Sequence, residues 1–174
     1  FAKQQSIMQI MKKLIFATGI ILLFCSVDPV PSEPFPYRPI VMTRQMLESS
    51  VEMLNAAKLV RPGKIYIKDN YIFINEKYHG IHIINNTDPS NPVKEGFLRI
   101  PGCIDMAMKG NILYADNAVD LIAVDLSDMN NILITKRIKE IFPEHSPPGY
   151  DWLPWNYQAE NRPENTIIVE WEKN

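Results

Sequence analysis

Between Gly63 and Glu140 the apolar positions come in short runs separated by turn residues. Ile65–Ile67, Tyr71–Ile74, Ile81–Ile84 and Phe97–Ile100 are dense in β-branched and aromatic side chains. Asp69-Asn70, Glu76 to Gly80 and Thr87 to Pro92 lie between them, so the pattern predicts one four-stranded antiparallel meander. Upstream the period changes. Met46, Leu47, Val51, Leu54 and Ala57 share one face of a helical wheel, Thr43 can cap its start and Pro62-Gly63 can end it, which predicts a helix over 43–61. Thr166 to Trp171 predicts one last strand.

The meander pattern then recurs. Lys68 to Phe73 matches Lys109 to Tyr114 at a shift of 41, and Gly80 to Asn85 matches Asp120 to Asp125 at a shift of 40. One residue is therefore lost between the second and third strands of the second copy. Each copy closes on the same pair, Arg99-Ile100 and Arg137-Ile138. A four-stranded unit repeating at roughly 40 residues has the period of a β-propeller blade.

The same residues resemble the LVIVD repeat, whose third-strand core is followed by an acidic turn. Leu121-Ile122-Ala123-Val124-Asp125 keeps Leu121, Val124 and Asp125 of that pattern, and Asp88-Pro89-Ser90-Asn91-Pro92 keeps the turn through Asp88, Pro89 and Pro92. The resemblance covers 63–140, is to the N-terminal portion of the family only, and extends to exported lipoproteins of Bacteroides-like bacteria. It implies a propeller with no assigned chemistry. The expected fold class is all-β: a partial propeller of two four-stranded antiparallel blades, preceded by a signal segment and one short α-helix. The 141–174 segment is expected to hold an aromatic, proline-rich loop and the first strand of an incomplete next blade. Closed propellers use about 4 to 8 blades, so either the chain is a shortened propeller or protomers complete the ring.

Residues 1–27 read as an export segment, with Met11 as the expected true start. Lys12 and Lys13 precede fourteen uncharged residues, Leu14 to Val27, a run too short to span a membrane, for which about 20 apolar residues are needed. Cys25 stands where a lipoprotein signal places its lipidated cysteine, although Phe24 replaces the usual small residue before it. Residues 28–42 read as a proline-rich tether.

Composition narrows the chemistry. With 174 residues, 46% hydrophobic and 22% charged, the chain suits one globular domain. Three of the 18 basic residues and no acid precede Val27, which leaves 15 basic against 20 acidic residues in the remainder. That balance gives no reason to expect nucleic acid. His79, His82 and His145 are too scattered to suggest a metal site, and no cofactor motif is present. Asp105, Asp116, Asp120, Asp125 and Asp128 read as turn-capping acids, and Lys136-Arg137 as a solvated edge. Cys103 reads as a small buried hydrophobe. No nucleophile motif appears, so no catalytic residue is assigned.

The most site-like feature is Tyr150, Trp152, Trp155 and Tyr157, four aromatics within eight residues stiffened by Pro147, Pro148 and Pro154. They could grip a protein or glycan, or cover the open edge of the second blade. The resulting expectation is a non-enzymatic cell-envelope protein at the outer membrane or periplasmic face. It would be anchored through an N-terminal lipid or signal segment, with a binding or scaffold role. Two alternatives stay open: a shortened propeller enzyme acting on polysaccharide, and a bitopic membrane protein.

Overall fold

The computed structural model describes residues 34–129 and 131–174; Cys25 and the export segment lie outside them. The element order is β1 (Tyr37–Thr43), α1 (Arg44–Glu48), β2 (Glu52–Leu54), β3 (Pro62–Lys68), β4 (Tyr71–Glu76), β5 (Gly80–Asn85) and β6 (Val93–Arg99). It continues with β7 (Met106–Lys109), β8 (Ile112–Asn117), β9 (Asp120–Asp125), β10 (Leu133–Ile138) and β11 (Thr166–Lys173). Short 3-10 turns at Trp155–Tyr157 and Ala159–Asn161 precede β11. The chain is all-β with antiparallel sheets that do not close, and no described helix is long and apolar enough to cross a membrane.

Three sheets form. One is five-stranded in the order β2-β6-β5-β4-β3, one is four-stranded in the order β10-β9-β8-β7, and β1 pairs with β11. A single core joins the two larger sheets: Phe73, Ile81, Ile83 and Leu98 from the first, Leu113, Ala115, Ile122 and Val124 from the second. The alternation Ile81/Ile83 and Ile122/Val124 sends every second residue inward, as a strand must. A smaller core gathers Leu47, Ala118, Val119, Ile167 and Val169, with Ile40 and Met42 against it.

The two meanders are built with the same local chemistry. Asp69 and Gly110 adopt φ of 53° and 58° in the first hairpin of each, and Tyr78 and Ala118 adopt 69° and 56° in the second. The amide of Asn86 donates to Asn70 and that of Leu126 to Asn111. Asn85 and Asp125 each accept from the amide two residues on, Thr87 and Ser127. In the second hairpin, Lys77-Tyr78-His79 separates β4 from β5, whereas Ala118-Val119 separates β8 from β9. The extra residue of the first copy sits in that loop.

Two expected elements differ. The helix expected over 43–61 covers only Arg44–Glu48. Thr43 does cap it, its hydroxyl accepting from the Met46 amide at 3.2 Å. Ser49 and Ser50 turn their hydroxyls back onto carbonyls of the same turn and end it. Glu52–Leu54 then pairs with Phe97–Arg99, because the free edge of β6 offers backbone partners that a surface helix would leave unused. Val51 and Met53 pack on the main core with a period of two. The tether expected over 28–42 likewise yields its end to β1. Pro39 is tolerated there because β1 has only β11 as neighbour and a proline on an edge strand forfeits no ladder bond.

A strand forms over Thr166–Lys173 at the expected place and is buried from Ile167 to Trp171; its pairing partner is β1. Lys136-Arg137 departs from the solvated-edge reading: Lys136 is exposed, but Arg137 donates to Asn117 and Asp120. Arg44, at the start of α1, donates to both oxygens of the same Asp120 at 2.8 and 2.7 Å. Asp120 therefore fastens α1 to the second sheet.

Candidate binding site

The β4–β5 hairpin brings together two buried titratable side chains, Glu76 and His82. Its loop turns through Tyr78, whose amide donates to Cys103 at 2.7 Å, and re-enters the sheet at Gly80 with φ of 145°. This aims Glu76 and His82 to the same side. His82 Nε2 donates to Glu76 Oε2 at 3.1 Å, since an ionised carboxylate can only accept. The Val60 amide donates to the same carboxylate at 2.9 Å, and the Arg61 amide to its other oxygen. Both side chains are buried.

Burial alone would push the Glu76 carboxyl up, but the two amides and His82 outweigh it and hold it below the usual carboxylate range. A carboxylate saturated in this way is a weak proton acceptor at neutral pH. It braces the connection 55–61 against the sheet. That connection in turn presents Arg61, whose guanidinium donates to Glu170 of β11 and, at 2.7 Å, to His79 Nε2. Arg99 of β6 donates to the Ser50 carbonyl at 3.1 Å and pairs with Glu52 at 2.7 Å.

These groups surround a cavity of about 440 Å³. Its walls are mainly apolar, with Ile40 from β1, Ala57 and Val60 from the connection, Tyr78 from the hairpin, Phe97 from β6 and Val169 from β11. Lys58, Arg61, His79 and Arg99 supply the polar positions, with Glu76 and Glu170 as the two carboxylates. Size and lining suit a small organic molecule. The cavity exists because β1 and β11 bring the two ends of the described chain alongside the first meander.

Comparison with protein-family models, curated proteins and solved structures returned no match for this chain. The site is therefore read from its own geometry. None of the aromatics singled out from the sequence lines this cavity. Tyr150 and Trp152 meet edge to face at 5.5 Å, Trp155 is 70% exposed, and Tyr157 packs edge-on against Trp171 at 5.4 Å. On β10, Leu133, Ile134 and Ile138 remain exposed. Asp88 caps its own turn by accepting from Ser90 at 3.0 Å, with Pro89 and Pro92 alongside in an exposed turn, while Val124 is core.

Leu121 lines a second cavity, of about 430 Å³, with Tyr114, Phe142, Asp116 and His145. Burial pushes the Asp116 carboxyl up even though it accepts from the Ile104 and Asp105 amides, and burial pushes His145 down. Cys103 is fully buried, and burial together with the nearby Asp116 pushes its thiol well up. His79 and His82 go to different partners, Arg61 and Glu76. Glu76, Arg61, Arg99 and Glu170 were not legible as site residues, because each reads locally as an ordinary strand or loop charge. The one local signal was Glu76, an acid directly after the apolar run Tyr71–Ile74 and Asn75.

Proposed function

We propose that the chain is an exported, lipid-anchored binding module of the cell envelope, its two meanders acting as propeller-type blades that carry one small-molecule site. The mainly apolar cavity between the first meander and the β1–β11 pair carries the reading, because Glu76, Arg61, Arg99 and Glu170 in its lining are already fixed by partners. The saturation of Glu76 favours binding over proton transfer. The matched turn hydrogen bonds in 63–140 and the LVIVD-like residues support the propeller relationship. The address rests on the sequence of 11–27, with Cys25 as the acylation site. Metabolic labelling with a fatty acid should mark the chain expressed with its export segment and leave Cys25→Ser unlabelled; labelling that survives Cys25→Ser contradicts the anchor.

The site is tested by filling it. Ala57→Trp places a large ring in the cavity, whereas Trp155→Ala strips the most exposed aromatic of the 150–157 loop. In a ligand-observed NMR screen of small organic acids, sugars and peptides, hits should be lost in Ala57→Trp and kept in Trp155→Ala. The reverse pattern would move recognition to the aromatic loop, in line with a glycan or protein partner there. An absence of hits would remove the small-molecule reading.

A further inference from the structure

The charges around the cavity do not balance. Three cationic side chains line it, Lys58, Arg61 and Arg99, against two carboxylates, Glu76 and Glu170. Each carboxylate is already engaged: Glu76 by two amides and His82, Glu170 by Arg61. Arg99 is held by Glu52 and the Ser50 carbonyl, outside the cavity lining. Lys58 alone among these cations has no protein partner among the described residues, and it is exposed. The apolar walls lie beside it. A ligand that satisfies both features has an apolar body and one negative charge at its end.

Resting on the proposed binding role, we infer that the cavity takes a small amphipathic carboxylate, its chain against Ile40, Val60, Phe97 and Val169 and its carboxylate at Lys58. The buried Glu76 and Glu170 oppose a second negative charge deeper in, so a monoanion is favoured over a dianion. Lys58 acts as a flexible point charge at the mouth, which sets affinity and salt dependence without holding the fold.

The experiment is calorimetric titration of the full chain with decanoate and with decan-1-ol, which share an apolar body and differ in charge. Decanoate should bind about twofold to fivefold tighter, the scale of one solvent-facing charge pair, and the difference should shrink with added salt. Lys58→Gln should bring the two probes to equal affinity, while Lys109→Gln, remote from the cavity lining, should change nothing. Equal binding of both probes by the unsubstituted protein, abolished by Ala57→Trp, overturns the carboxylate inference and leaves the cavity as a binding site. A preference for decanoate that persists in Lys58→Gln also overturns it. Failure of both probes overturns this inference, and the organic-acid and sugar screen then decides whether the binding role itself stands.

Discussion

Asp120→Ala is expected to cost about 3 to 5 kcal/mol, a large fraction of the total stability of a domain. The Asp120 side chain is fully buried and receives two guanidinium groups, from Arg44 and Arg137, together with the Glu140 amide at 3.0 Å. Removing the carboxylate strands two largely buried cations that have few other acceptors. Among the described residues Arg44 then keeps Glu140 and a long contact to Glu48, and Arg137 keeps Asn117. Losing a member of a buried ion pair is costly for this reason, even where the intact pair contributes modestly. Denaturant unfolding monitored by circular dichroism reads the change.

The same residue sets part of the acid response. Burial would push the Asp120 carboxyl up, but Arg44, the Glu140 amide and Arg137 outweigh it and hold it below its ordinary value of 3.8. A carboxyl lowered in the folded state binds its proton more readily when unfolded. Its stabilisation is therefore complete above the ordinary value and is lost as pH falls through the lower folded value. Glu76 contributes in the same direction. Stability should fall steeply below about pH 4, and Asp120→Asn should flatten that part of the profile while lowering stability at neutral pH.

Gly80→Ala is the second large effect, at about 3 kcal/mol or more. At φ of 145° the position already excludes ordinary side chains, and an added Cβ would lie 2.1 Å from the Leu98 carbonyl oxygen and 2.9 Å from the Ile100 amide nitrogen. Both are backbone atoms of the paired strand and its extension, so relief requires β5 and β6 to separate. Separation would also disturb the hairpin that carries Glu76 and His79. Gly110→Ala is the informative comparison. Its φ of 58° is left-handed, yet nothing lies within 4 Å of a built Cβ, and Asp69 holds the equivalent turn at 53° with a full side chain. It should cost only about 1 to 2 kcal/mol, and thermal unfolding of the two variants side by side separates crowding from backbone strain.

Much of the sheet architecture was legible because its signals are local. Asp69-Asn70 and Lys109-Gly110-Asn111 announce hairpins, and the alternation around Ile81 and Ile122 fixes which residues turn inward. The segment 43–61 departs from its pattern because Met46, Leu47, Val51 and Leu54 satisfy a helical period by sequence alone. The free edge of β6, which makes Glu52–Leu54 a strand, is a distant partner. Pro39 depends on distant structure in the same way, since its tolerance requires β1 to lie at an edge. The cavity was illegible for a stronger reason. Arg61 and Glu170 are 109 residues apart and become neighbours only because β1 and β11 pair. The aromatic cluster at 150–157 is compact in sequence, whereas the residues that line the cavity are dispersed.

The most direct test is an isotope-filtered nuclear Overhauser spectrum of the full chain saturated with decanoate. Cross-peaks from the ligand chain to the methyl groups of Ile40, Val60 and Val169 are the predicted result, since these come from three separate segments that meet only at the cavity. Cross-peaks to Trp152 and Trp155 without contact to those methyl groups would contradict it.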